Sequence, residues 1–141
     1  MYLLDTSIVS DYLDKRRRNF PLIDNRIQDK PPESIFISII TVEETIQGAL
    51  NIIQKSKQKS STVNAYQYFE EIFEALHRFQ ILPYIGEAER IFQSLSPKVK
   101  RVGTNDCRIA ATACSKGYIL VTANVADFQR IGIVSIEDWT Q

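Results

Sequence analysis

Four acidic residues follow apolar runs of the sequence, and this placement is the clearest sign of chemistry in the chain. Each stands just after, or about one helical turn past, a segment that is typical of a buried strand; the four are Asp5, Glu44, Asp106 and Asp127. A carboxylate at the end of a strand points into the crevice of an open α/β sheet. Converging carboxylates repel one another unless a cation lies between them, so the pattern predicts a divalent-metal site.

Two of these residues have an alternative explanation as helix caps. Asp5 or Thr6 suits the N-cap of a first helix. Thr41 and Glu44 have capping-box spacing, in which Glu44 would bond back to the start of its own helix and keep fewer lone pairs for a metal ion. The neighbouring Glu43 points about 100° away around the helix, so we expect at most one of the two glutamates to face the crevice.

The other two acidic residues can also be explained by local structure. Asp106 falls in the first turn of a predicted helix, where the helix dipole favours an acidic residue and Thr104 or Asn105 would supply the cap. Asn124 and Asp127 are common loop residues. However, the residues that follow the strands of a parallel sheet all lie at one edge of the sheet. A single functional cluster explains four carboxylates at that edge more simply than four independent capping or loop residues.

The remaining composition narrows the identity of the metal ion. His77 is the only histidine, and the chain has no CxxC pair, no GxxxxGK[ST] loop and no GxGxxG motif. A histidine-based zinc site and a Ser-His-Asp triad are therefore disfavoured. Oxygen ligation of a hard ion, Mg²⁺ or Mn²⁺, is the chemistry that is left. The Thr122 hydroxyl would position a metal-bound water or a neighbouring carboxylate.

Short apolar runs alternate with helical patterns, which predicts an α/β fold around a parallel sheet. The predicted strands are residues 2–4, 35–40, 80–84, 118–121 and 131–136. They show little apolar–polar alternation, as expected of strands that are buried on both faces. Further helices are predicted at 86–95 and 105–116.

Two successive helical patterns have no strand between them, and this predicts an α-hairpin that projects from the sheet. The stretch at 55–61 separates the two helices. The second helix carries an apolar stripe of Tyr66, Phe69, Phe73, Leu76 and Phe79. Nearer the N-terminus, the basic run 15–18 is expected to close the first helix, either stabilising its C-terminus or gripping phosphate at the rim of the site.

Composition places limits on the class of protein. The chain has 141 residues, with 17 Lys and Arg against 17 Asp and Glu. A net charge of zero disfavours a general nucleic-acid coat protein but is compatible with a nuclease. Cys107 and Cys114 lie about 10 Å apart along one predicted helix, too far for a disulfide. With no membrane-length apolar run and no signal-like start, a cytoplasmic location is expected.

Three segments, in order, resemble the PIN-domain family and, within it, the VapC-type toxins of bacterial toxin–antitoxin modules. They are MYLLDTSIVSDYL, ISIITVEETIQG and GTNDCRIAATACSKGYILVTANVADFQRI. The likeness extends from Met1 to about Trp139. It implies a single PIN domain over residues 1–141, folded as a three-layer α/β/α sandwich with a central parallel sheet.

The resemblance also implies a catalytic role for each acidic residue. Asp5 matches the family's first acidic position, Glu44 the second, with Gly48 one turn later, and Asp106 the third. Asp127 is the charged residue available for the fourth. By this resemblance Asp5 and Asp106 would bind Mg²⁺ directly, and Glu44 and Asp127 would bind it directly or through water.

Further positions are expected to help or to modify the site. Thr6, Thr122 and Asn124 would position water or substrate, and many family members carry Asp or Asn where Asn124 stands. Thr45 replaces a residue that is frequently Leu or Gln, and Ala123 replaces one that is frequently Arg or Asn. The change at Ala123 suggests one substrate contact fewer.

The activity that the resemblance implies is a Mg²⁺-dependent endoribonuclease that forms homodimers and is inhibited by a cognate antitoxin. Such antitoxins commonly offer a basic side chain to the acidic site. Two alternatives stay open: a PIN nuclease that works in RNA processing outside a toxin module, and a PIN domain that binds nucleic acid with weak catalysis. An aspartyl-phosphate phosphatase is disfavoured, because it needs a second Asp where Ser7 stands.

Overall fold

One parallel sheet of five strands forms the centre of the computed structural model, which describes residues 1–141. The strands are β1 (Tyr2–Leu4), β2 (Ile35–Ser38), β3 (Gln80–Leu82), β4 (Ile119–Val121) and β5 (Ile136–Glu137). Their order is β3-β2-β1-β4-β5, and every neighbouring pair is parallel. The strand order reverses beside β1, so a crevice forms at the carboxyl ends of β1 and β4.

Eight α-helices surround the sheet. They are α1 (Thr6–Tyr12), α2 (Phe20–Gln28), α3 (Ile39–Lys55), α4 (Lys59–Leu76), α5 (Gly86–Ser94), α6 (Pro97–Lys100), α7 (Thr104–Lys116) and α8 (Val125–Ile131). The helices predicted at 86–95 and 105–116 correspond to α5 and α7, and the short α6 was not predicted. None of the eight helices has the length and apolar character needed to span a membrane.

The strands bury side chains on both faces, which creates two separate cores. Leu4 and Val121 belong to a cluster that includes residues of α1, α2 and α4 together with Trp139. Leu3 and Leu120 point the other way and pack with α5, α7 and α8. Successive side chains of a strand face opposite sides, so the continuous apolar runs indicate a sheet covered on both faces. The predicted three-layer α/β/α sandwich is confirmed.

Helix α7 lies close to the sheet because its inner face is built of small residues. Ala110, Ala111 and Ala113 are fully buried in the core formed with Leu3 and Leu120. A helix without bulky side chains on this face can approach the strands closely. The first turn of α7, which carries Asp106, is thereby held near the crevice.

The predicted α-hairpin is confirmed as α3 and α4, but the predicted apolar stripe of α4 is buried only in part, at Leu76. Tyr66 and Phe73 of the expected apolar stripe are 58% and 47% exposed. The buried residues of α4 are Ala65, Ile72 and Leu76. The sequence contains two competing apolar faces, and the face with the small Ala65 is the one that packs inward.

The strands predicted at 80–84 and 118–121 are shorter in the structure, at Gln80–Leu82 and Ile119–Val121. Two further predicted strands differ more, because polar or turn residues interrupt the apolar runs. The run 35–40 ends as a strand at Ser38, whose hydroxyl accepts the N–H of Thr41 at 3.1 Å and caps α3. The run 131–136 forms a strand only at its end. Helix α8 continues to Ile131, and Gly132, with φ of 74°, terminates it in the left-handed region.

The basic run 15–18 does not close a helix, contrary to prediction. Helix α1 ends at Tyr12, and the run lies in the connection to α2. Asp14 accepts a hydrogen bond from the Arg16 side chain at 3.0 Å, and Arg17 lies 3.4 Å from Asp11. Part of the positive charge of this run is therefore locally compensated.

Gly132 provides a test of how α8 ends. A Cβ at this position would lie 3.4 Å from the Gln129 carbonyl oxygen and would occupy a left-handed conformation. We expect Gly132→Ala to lower the free energy of unfolding by roughly 1–2 kcal/mol, measured by urea denaturation. Gly86→Ala is the control, because a Cβ there meets only the end of the Arg90 side chain. Equal stability of Gly132→Ala and wild type would contradict this account.

Candidate metal centre

Asp5 is the buried carboxylate at the end of β1, and it is 2% exposed. Its Oδ1 accepts hydrogen bonds from the Ser7 hydroxyl at 2.6 Å and from the Ile8 N–H at 3.1 Å, which makes Asp5 the N-cap of α1. Its Oδ2 accepts one from the Thr122 hydroxyl at 2.6 Å. Burial raises the pKa of Asp5, although these hydrogen bonds act in the opposite direction. Since each oxygen has two lone pairs, only Oδ2 keeps one free.

The hydroxyls that hold Asp5 are themselves fixed by the loop after β4. Ser7 Oγ accepts the N–H of Ala123 at 3.2 Å, and Thr122 Oγ1 accepts the N–H of Asn124 at 2.9 Å. Thr122 thus contacts a neighbouring carboxylate, one of the two roles expected for its hydroxyl. The role of Ser7 was missed, because a serine two residues after an aspartate is an ordinary local pattern.

Glu44 is oriented by a chain of hydrogen bonds between hydroxyl groups, which starts at a buried residue. The Thr6 hydroxyl donates to Glu44 Oε1 at 2.6 Å and lies 3.1 Å from Thr41 Oγ1. The single proton of Thr6 is used on Glu44, so Thr41 must be the donor to Thr6. Ser38 in turn donates to Thr41 at 3.4 Å. These hydrogen bonds therefore run from Ser38 through Thr41 and Thr6 to Glu44.

The capping box predicted for Thr41 and Glu44 is wrong. Ser38 is the N-cap of α3, and it accepts the Thr41 N–H, so Glu44 lies in the second turn of the helix. Its carboxylate is free to serve the crevice, where it is half-buried, whereas Glu43 is exposed. The expectation that only one of the two glutamates faces the crevice is confirmed.

Asp106 is the carboxylate whose charge is least compensated. Gly103 occupies the N-cap of α7, so the expected caps Thr104 and Asn105 are wrong. Burial, together with the charges of Glu44, Asp5 and Asp127, raises the pKa of Asp106 to about 6. No hydrogen bond counteracts this rise. The four carboxylates therefore lie close enough to repel one another.

Asp127 and Asn124 lie at the outer side of the crevice. Asp127 is in the first turn of α8, and its Oδ1 accepts a hydrogen bond from Arg130 at 3.1 Å. Both side chains are substantially exposed, 41% for Asp127 and 66% for Arg130. Asn124 holds the N-cap position of α8, but its side chain makes no capping hydrogen bond. Asp127 thus contributes charge at the rim, and the Asn124 side chain is free.

These donors suit a hydrated hard ion. No three His, Cys, Asp or Glu side chains are arranged so as to enclose an ion among themselves. A closed cage of the kind that holds structural zinc is therefore excluded as the protein stands. Asp5 offers one lone pair on Oδ2, and Asp106 has an uncompensated carboxylate. Mg²⁺ keeps several waters and needs only one or two direct carboxylates, so it fits this set.

The protein is an α/β/α sandwich with acidic residues where the strand order reverses, and known proteins share this fold. The family model of the PIN domain matches residues 2–134. Ribonuclease VapC1 of Haemophilus influenzae is 32% identical over 143 aligned residues, which cover 100% of this chain and 99% of that protein. Ribonuclease VapC2 of the same species is 34% identical over 142 residues, covering 98% and 97%.

Solved structures agree with the sequence comparison. A chain in the structure of VapBC-1 from nontypeable Haemophilus influenzae superposes with a TM-score of 0.75 at 27% identity, covering 99% of this chain and 98% of that one. The chain belongs to the PIN-domain family, and the resemblance seen in the sequence is confirmed.

The bond between Thr122 and Asp5 can be tested by its effect on folding. Thr122→Val leaves a buried carboxylate oxygen without its donor, so we expect the free energy of unfolding to fall by about 1–3 kcal/mol. The matched control is Thr140→Val, which removes a hydroxyl bond of 2.6 Å to the less buried Asp138. Urea denaturation measures both variants. A smaller loss for Thr122→Val than for Thr140→Val would contradict the importance of this bond.

The repulsion at Asp106 can be tested in metal-free protein. The pKa of Asp106 is raised to about 6 in the folded state, so its stabilising contribution is full below pH about 4 and is lost as the pH rises through 6. At pH 7.5 in EDTA we expect Asp106→Asn to be more stable than wild type by about 1 kcal/mol, a value discounted because the carboxyl is half-buried. At pH 4 the difference should vanish.

The control for this experiment is Asp127→Asn, whose charge is paired with Arg130 at the surface. We expect its stability to change little at either pH. Thermal unfolding of the three proteins is the measurement. A loss of stability in Asp106→Asn at pH 7.5 would show that the carboxylates do not repel one another as described.

Proposed function

We propose that this protein is a Mg²⁺-dependent endoribonuclease, able to use Mn²⁺, that acts as the toxin of a toxin–antitoxin pair. One observation carries the proposal: Asp106 sits among three other carboxylates, with no hydrogen bond to lower its raised pKa. Membership of the PIN-domain family, with relatives named ribonucleases, supports RNA as the substrate.

The side chains divide the work of hydrolysis among them. Asp5, through Oδ2, and Asp106 would hold the ion directly, while Glu44 and Asp127 would complete the site directly or through water. A bound divalent ion lowers the pKa of its water and stabilises charge on the scissile phosphate. Glu44 is held by Thr6 through Oε1, so its other oxygen is available to orient the attacking water. Hydrolysis would leave a 5′-phosphate and a 3′-hydroxyl.

The same charges explain how a partner protein would inhibit the enzyme. A cognate antitoxin that offers a basic side chain would relieve the repulsion among Asp5, Glu44 and Asp106 and would occupy the place of the metal ion. A homodimer is also proposed, from the resemblance to VapC-type toxins. The exposed Tyr66 and Phe73 of α4 are large apolar side chains of the kind found in protein–protein contacts.

The proposal is tested by incubating total RNA with the purified protein in Mg²⁺, in Mn²⁺ and in EDTA. We expect discrete fragments with either ion and none in EDTA. Asp5→Asn and Asp106→Asn should each lower the cleavage rate by about 10²-fold or more, because each removes a direct ligand. Intact RNA with the folded, antitoxin-free wild type would contradict the nuclease proposal.

A matched pair of neighbouring glutamates separates catalysis from general charge effects. Glu44→Gln should lower the cleavage rate by roughly 10²-fold, since Glu44 is expected to orient the attacking water. Glu43→Gln makes the same chemical change on the exposed side of α3 and should cleave RNA at the wild-type rate. Equal losses in both variants would contradict a specific role for Glu44.

A further inference from the structure

A cavity of about 190 Å³ opens beside the acidic site, between α1, α3 and α4. Thr6 and Glu44 form part of its wall, so the cavity and the carboxylate crevice share a boundary. Drug-sized ligands occupy pockets of about 300–1,000 Å³. The smaller volume here suits one planar group next to the scissile bond.

Gly48 leaves one part of the cavity wall without a side chain. It lies inside the 17-residue α3, one turn after Glu44, and a Cβ at this position would meet no atom within 4 Å. Glycine inside a helix is less favourable than alanine by about 1 kcal/mol. Close packing against another part of the protein does not explain this glycine, and there is room for a larger side chain here.

The rim of the cavity carries a cation and an aromatic ring. Arg17 and Tyr68 both line it. The Arg17 side chain is 56% exposed even though it lies 3.4 Å from Asp11, and Tyr68 is 42% exposed. A guanidinium can contact phosphate and a tyrosine ring can stack on a base. The entrance of the cavity therefore carries one group for each part of a nucleotide.

We propose that this cavity is a subsite for one unstacked RNA base beside the scissile phosphate, with Arg17 and Tyr68 at its entrance. Proteins read single-stranded RNA by stacking splayed bases on aromatic side chains and by hydrogen bonding to the base edges. The inference rests on the proposed ribonuclease function. It adds that this cavity determines which base is preferred beside the cleaved bond.

The test fills the cavity with the Gly48→Leu variant. The control is Gly86→Leu, which makes the same change on α5. Space is available at both positions, since only the end of the Arg90 side chain approaches Gly86, and leucine favours a helix. The 5′ ends of fragments from total RNA are mapped by sequencing. Wild type and Gly86→Leu should share one preferred base at a fixed position beside the cut. Gly48→Leu should lose that preference, with at least a tenfold fall in kcat/KM at the preferred sites.

Failure of the subsite and failure of the nuclease proposal give different results. If wild type and Gly48→Leu cleave at the same sites and rates, the subsite is overturned while the nuclease proposal stands. Wild-type cleavage by Gly48→Leu with loss of inhibition by the cognate antitoxin would also overturn it, in favour of a protein side chain as the occupant.

If wild type cleaves no RNA, direct binding decides the question. Saturation-transfer NMR with AMP, GMP, CMP and UMP should then show contact between one base and wild type that Gly48→Leu abolishes. Absence of base contact with wild type, or equal contact with both proteins, would overturn the subsite.

Discussion

The hydrogen bonding of the buried Asp5 carboxylate determines where the other parts of the site can lie. A carboxylate removed from water needs donors, and Asp5 obtains them from Ser7, Ile8 and Thr122. Thr122 comes from the end of β4, and both hydroxyls also accept N–H groups of the following loop. The bonds of Asp5 therefore join the two central strands and place the loop that leads to Asp127. The adjacent order of β1 and β4 in the sheet makes this possible, because their carboxyl ends meet at the reversal of strand order.

The four carboxylates differ in how far neighbouring groups compensate their negative charge. Asp5 is held by three donors, Glu44 by the Thr6 hydroxyl and Asp127 by Arg130, whereas Asp106 has no hydrogen bond to counter its raised pKa. Asp5 and Glu44 are thus held inside the crevice and Asp127 is paired at the surface, whereas the charge of Asp106 is not compensated by any hydrogen bond. Fixed donors of this kind pre-organise a site, because a ligand that binds them does not have to reorder them. A cation bound among these carboxylates would relieve their repulsion.

The sequence predicted the parallel sheet and the α-hairpin, because both depend on long-range patterns of hydrophobicity. It also pointed to one crevice for the acidic residues, and the charges of Asp5, Glu44 and Asp127 do act on Asp106. The predictions from sequence failed where two local structures were equally compatible with the residues. Ser38 and Thr41 can each cap a helix, and only the length of β2 decides between them. Helix α4 has two apolar faces, and packing chose the one with Ala65. The contact of Ser7 with Asp5 depends on the loop after β4 and left no distinct local signal.

The lone-pair arrangement of Asp5 has a consequence for how the molecule is assembled. Oδ1 is fully used and Oδ2 has one unused lone pair. A ligand that uses this lone pair would break none of the bonds that cap α1 and join β1 to β4. The bonds that hold Asp5 in place are therefore made within the protein and would not depend on a bound cation.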